Sequence, residues 1–199
     1  MSVGPMAQWV AYRYAERAML RAPLPSASEA GGGWRSIELK RPLPLEQLDA
    51  LVADTASKVG AALGAASVDG AFGYLIAVGE AGQAVRLVLG LRDAAGHAEG
   101  PAAIERAGVD KKNRKRWVAR AAKAFGAWSS GAPSAVDADL VAAIMHQEHA
   151  DPADAVAELF GSLGLSLPQV HPPSYSDLHL VAREQMPPPS KRGRLRRKR

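Results

Sequence analysis

The residue spacings that could carry chemistry in this chain are few, and each tests a different reaction. His146, Glu148 and His149 form an HQEH run, with Asp151 and Asp154 just beyond it. A zinc-protease helix needs two histidines one turn apart and a glutamate beside the first, as in HExxH. Here the histidines are three apart, so they can share a face but lack a third ligand and a supporting shell. The expectation is a polar helix end and no metal. A metal-dependent enzyme using His146 and His149 is the third-ranked reading. His97 with Glu99, and His171 with His179, are more isolated still.

Other reactive patterns fail on spacing. Gly126-Ala127-Trp128-Ser129-Ser130-Gly131 is not the GxSxG of a nucleophile elbow, and no strand precedes it. No GxxxxGK[ST] loop occurs, and Gly31 to Gly33 neither follow a strand nor open a helix as a dinucleotide site requires, so they read as a linker. Asp137 and Asp139 sit where a helix start favours negative charge, and Glu80 sits in a turn, so no carboxylate pair is marked for acid–base work. The chain has no cysteine, which removes thiolate metal sites, disulfides and cysteine nucleophiles. No cofactor is expected.

The charge is more informative. Residues 191–199 hold seven of the 25 lysines and arginines: Lys191, Arg192, Arg194, Arg196, Arg197, Lys198 and Arg199. Without them 18 basic residues face 20 acidic ones, so the rest of the chain is slightly acidic despite a net charge of +5. A second cluster, Lys111, Lys112, Arg114, Lys115, Arg116, Arg120 and Lys123, has only Asp110 beside it. Lys112, Arg116, Arg120 and Lys123 keep helical spacing and make one basic face, with Lys115 close by. Such cations bind phosphates by counterion release, with salt-sensitive and largely sequence-independent affinity. Trp117 and Trp128 could stack on bases, but their spacing places them in the core first. The leading expectation is therefore a non-enzymatic binding protein for nucleic acid, a ribonucleoprotein or another polyanion. Its contacts would be Lys112, Lys115, Arg116, Arg120, Lys123 and the basic tail. The alternative is an interaction subunit or adaptor of a larger bacterial assembly, with the tail as docking peptide.

The elements that must position these residues begin with a hairpin. Phe72 to Val78 and Ala84 to Leu91 are rich in residues that suit a pleated sheet, and Gly79 to Gln83 supplies the turn with Gly82 at positive φ. Val85, Leu87, Leu89 and Leu91 share one parity, so Leu87 and Leu89 should be buried. Gln8 to Ala15 and Trp34 to Lys40 read as strands, with Pro23 to Gly33 as loop between them. A helix is expected from Pro44 to about Leu63 on the stripe Leu45, Leu48, Leu51, Val52, Thr55, Val59, Ala62 and Leu63. The glycines of Gly60–Gly64 mark close packing or a helix end.

Further on, a short helix is expected near Ala102 to Ala107, and longer ones over 110–128, 136–149 and from Asp151. The last of these has Asp151 as N-cap, Pro152 at its first position and a buried stripe of Val156, Leu159, Phe160 and Leu163. Leu140, Val141, Ile144 and Met145 are expected to face inward. Asp177 to Ala182 reads as a last strand, and 187–199 as a disordered Pro/Arg-rich tail.

The resulting fold class is α+β. A sheet of four to five antiparallel strands starts as β-β-α-β-β and is covered by helices on one face. Residues 1–186 form one domain, with a possible β-rich half (1–92) and helical half (93–186). No apolar run is long enough to span a membrane and the first residues do not read as a signal peptide, so a cytoplasmic protein is expected.

Overall fold

The computed structural model describes residues 7–13, 28–147 and 151–167. The expected strand at 177–182 and the tail at 187–199 lie outside the described residues. The architecture is α+β: a six-stranded, fully antiparallel sheet packed against helices. Its strands are β1 (Ala7–Arg13), β2 (Ser28–Gly31), β3 (Trp34–Glu38), β4 (Ala62–Val68), β5 (Phe72–Val78) and β6 (Ala84–Leu89). In space the order is β2-β3-β1-β4-β5-β6. Helix α1 (Leu45–Val59) joins β3 to β4, which flank β1 on opposite sides. After β6 come α2 (Leu91–Gly96), α3 (Gly100–Arg106), α4 (Arg114–Ser129), α5 (Ala138–His146) and α6 (Pro152–Ser162).

Two strands exceed the expected sheet. The first is β2, which makes a hairpin with β3 through Gly31, Gly32 and Gly33. All three glycines have positive φ, so the expected linker is the tight turn that only glycine forms without strain. The second is β4, ALGAASV, where the spacing suggests helix and loop. Helix α1 stops at Val59, because Gly60 takes a left-handed conformation and its N–H returns to the Ala56 carbonyl.

Every residue of β4 and β5 is buried, so both faces of the sheet centre are covered, not one. The alternation of side chains gives the assignment. On one face lie Gly64, Ile76 and Tyr74, against Leu48, Asp49 and Val52 of α1. On the other lie Gly73, with Val156 of α6 beside it, and Trp34, whose ring meets Trp128 of α4 edge-on at 6.0 Å. The small residues of β4 let α1 approach closely. A methyl at Gly64 would sit 2.5 Å from Val52 Cγ2 and 3.2 Å from Ile76 Cγ2. Leu87 and Leu89 are 0% and 1% exposed, as their parity requires, and Val88 on the opposite parity is buried too because that face also has its helices.

The α6 stripe is as expected: Val156, Leu159, Phe160 and Leu163 are fully buried, and Asp151 Oδ1 accepts the Ala153 N–H at 2.8 Å. Helix α5 is shorter than expected, and Leu140 is 42% exposed rather than inward, while Val141, Ile144 and Met145 are buried. Leu140 stands just before Val141 on the stripe, and on so short a helix it turns to solvent. Among the described residues, no helix is long and apolar enough to cross a membrane.

Candidate anion-binding face

The basic cluster is built around the start of α4. That helix begins at Arg114, later than the sequence suggests, because Asp110 and Asn113 organise a turn ahead of it. Asp110 Oδ1 accepts the N–H groups of Lys112 (3.0 Å) and Asn113 (3.1 Å), and Asn113 Oδ1 accepts that of Arg116 at 3.4 Å as N-cap. Lys112 therefore sits in the preceding turn, not on the helical face where its spacing puts it. Arg116, Arg120 and Lys123 do share a helical face, and Lys115 lies within the first turn. Lys111, Lys112, Arg114, Lys115, Arg116, Arg120 and Lys123 are all exposed. Among the described residues, none of them enters an ion pair.

The opposite side of α4 fixes this face in place. Trp117 is 2% exposed and donates its indole N–H to the Ala107 carbonyl at 3.1 Å, which ties α4 to the end of α3. Phe125 and Trp128 pack together at 5.4 Å, and Phe125 is fully buried. Trp117 is thus a core residue, and Trp128 is half-buried, its ring packed against Phe125 and Trp34. Ser129 is buried as well: its Oγ donates to the Gly126 carbonyl at 2.7 Å and accepts the Val136 N–H at 2.8 Å, which occupies the hydroxyl structurally.

Beside the N-terminus of α4 lie two grooves that share Leu91 and Arg114. One, of about 350 Å³, is lined by Arg92, Asp93, Arg114 and His146 among others, with Leu89 and Met145. The second, of about 280 Å³, is largely apolar and is lined by Leu91, Ala95, Ile104 and Val109, with Lys111 and Arg114. His146 thus belongs to this basic surface. Among the described residues, no three His, Asp or Glu side chains gather as a metal site. Glu148, His149, His171, His179 and the tail cations Lys191, Arg192, Arg194, Arg196, Arg197, Lys198 and Arg199 lie outside the described residues.

Two polar constellations escape the sequence patterns. Asp49 of α1 is buried, and its Oδ1 accepts the Tyr74 hydroxyl proton at 2.8 Å. Its Oδ2 takes Arg86 Nε at 3.0 Å and faces Arg106 Nη1 at 3.6 Å, while Arg106 Nη2 reaches Glu46 at 3.1 Å. Burial first, and then the charge and hydrogen bond of Asp49, push the Tyr74 hydroxyl well above the ordinary tyrosine range. Burial opposes the charge on Arg86, but the hydrogen bond and charge of Asp49 outweigh it and raise the guanidinium pKa. Each of these side chains has a partner, and the network braces α1, α3 and the sheet.

The other constellation is His97 with Asp69. His97 Nε2 lies 3.1 Å from Asp69 Oδ2, and Nδ1 accepts the Glu99 N–H at 3.2 Å. The backbone donor sets the tautomer, with the proton on Nε2. Both ring nitrogens are therefore engaged, and neither is free to serve as a base.

No family model, curated protein or solved structure matches this chain.

Proposed function

We propose that this chain is a non-enzymatic binding protein that engages nucleic acid, alone or within a ribonucleoprotein, through Lys112, Lys115, Arg116, Arg120, Lys123 and the basic residues 191–199. One observation carries the reading. The first turn of α4 holds Arg114, Lys115 and Arg116 and no acid, at the end of the helix where the macrodipole is already positive. Helices α1, α5 and α6 instead carry Glu46, Asp139 and Asp154 in their first turns. The arrangement costs α4 stability in isolation and favours an arriving anion. A local choice that conflicts with folding marks a site with another task.

A salt titration on nucleic-acid probes tests the reading. The full chain should show a steep fall of affinity with salt. Replacing Arg116, Arg120 and Lys123 by Glu should abolish an ordered complex. Deleting 190–199 should flatten the log–log slope by roughly 0.7 to 0.9 for each phosphate that the tail no longer neutralises. Lys115→Glu should weaken binding yet raise thermal stability, because it repairs the helix start by about 0.3–1 kcal/mol. Three coincident, flat titrations would refute nucleic-acid binding. They would leave an adaptor role, in which a partner protein survives nuclease treatment during copurification.

A further inference from the structure

We infer that the paired grooves beside the α4 N-terminus hold one unpaired nucleotide of the bound strand, its phosphate in the cationic groove and its base in the apolar one. This rests on the nucleic-acid reading above and specifies which form of nucleic acid the face selects. The grooves divide the labour across Arg114. On one side Arg92, Arg114 and His146 supply donors suited to phosphate oxygens. Asp93 among them supplies an acceptor for a sugar hydroxyl or a base amine, which a nucleotide carries. On the other side Leu91, Ala95, Ile104 and Val109 offer apolar surface that a purely phosphate-binding site has no use for. Each groove is near the lower end of small-ligand pockets, roughly 300–1,000 Å³, and the shared residues Leu91 and Arg114 make them neighbours. An occupant matched to both grooves is anionic at one end and apolar at the other, as a nucleotide is.

A base reaches such a groove only when it is out of the duplex stack, since inside a helix its faces are covered. A preference for single strands follows, which the exposed cations of α4 alone would not produce. Ala95 is exposed and lines only the apolar groove, so Ala95→Trp fills that groove without changing charge or core.

The test uses the full chain with an adenylate oligomer as single strand and a duplex of equal charge. Native protein should favour the single strand. Ala95→Trp should lose about tenfold in single-strand affinity and leave duplex binding and its salt slope unchanged. A second measurement needs no variant: adenosine 5′-monophosphate should shift the amide resonances of Ala95, Ile104 and Val109, whereas inorganic phosphate should shift only those around Arg92 and Arg114. Equal single-strand binding by native and Ala95→Trp protein, or a nucleotide that perturbs only Arg120 and Lys123, would overturn the groove assignment while the basic-face reading stands. Failure of the native protein to bind either probe would overturn both.

Discussion

Tyr74→Phe probes the buried network with the least collateral change. The substitution keeps the ring, which is fully buried, and removes only the hydroxyl that donates to Asp49 at 2.8 Å. Hydrogen bonds to charged groups contribute about 1.5–3 kcal/mol. Asp49 keeps Arg86 at 3.0 Å and Arg106 at 3.6 Å on its other oxygen, so the carboxylate stays paired. A loss of about 2 kcal/mol follows, or a fall of roughly 4–8 °C in Tm for a domain of this size.

Asp49→Ala should cost more, about 3 kcal/mol, because it strands the buried hydroxyl and one guanidinium together. The figure sits at the low end because the Arg86 side chain is 29% exposed and can turn to water. The two changes remove the same bond, so the double mutant should fall short of additivity by roughly 1–2 kcal/mol.

The pH dependence has a definite sign. The folded state raises the Tyr74 pKa above its ordinary value of 10.0. Below that value both states hold the proton. Above it the unfolded chain releases the proton while the folded chain keeps it, so stability falls as pH rises from there. Urea unfolding of native and Tyr74→Phe protein at near-neutral and alkaline pH reads both effects, and the variant should show a flatter alkaline limb. A change within about 0.5 kcal/mol with an unaltered alkaline limb would refute the account, since that is the scatter of an inert surface substitution.

Two further changes test the packing. Leu87→Ala, at a fully buried position of β6, should cost roughly 2–5 kcal/mol in denaturant unfolding, and a neutral result would contradict the sheet-face assignment. Gly64→Ala should cost about 1–3 kcal/mol, because its methyl would meet Val52 Cγ2 at 2.5 Å where α1 packs on β4. The paired change Gly64→Ala with Val52→Ala should recover part of that loss if the clash is the cause.

How legible the fold was depended on where the deciding interaction lies. Strands β5 and β6 announce themselves, since Phe72, Tyr74, Leu75, Ile76, Leu87 and Leu89 fit a pleated surface wherever they pack. Strand β4 does not. Its alanines and glycine carry no such preference, and Ala62 and Leu63 continue the helical spacing of α1 past Gly60. What makes ALGAASV a strand is tertiary: only small side chains leave room for α1 on one face and α6 on the other. Asp49 was illegible for a related reason. It stands beside Leu48 on the helix as any solvated carboxylate would, and its partners lie 25 and 37 residues away. The basic face was visible because charge is a local property of the sequence. The Lys112 position was not, because an aspartate side chain bonded to backbone amides decides where the helix begins. The grooves join α2, α3, the 109–114 turn and α5, and no single stretch of sequence contains them.

The cations of this chain fall into two kinds, and the difference bears on what the molecule is for. Arg86 and Arg106 converge on one buried carboxylate, and Lys58 pairs with Asp54 one turn away on α1. In those places charge is matched and the match serves the fold. The seven cations from Lys111 to Lys123 have no such match among the described residues, although the chain has acids to spare once residues 191–199 are set aside. Three of them are stacked on the positive end of their own helix, against both the dipole and each other. Nothing in the packing of α4 requires this, because its hold on the rest of the fold runs through Trp117, Phe125 and Trp128 on the other side. A helix so anchored can carry an uncompensated charge at its start without unfolding. The compensation the fold omits is the one an anionic partner would bring.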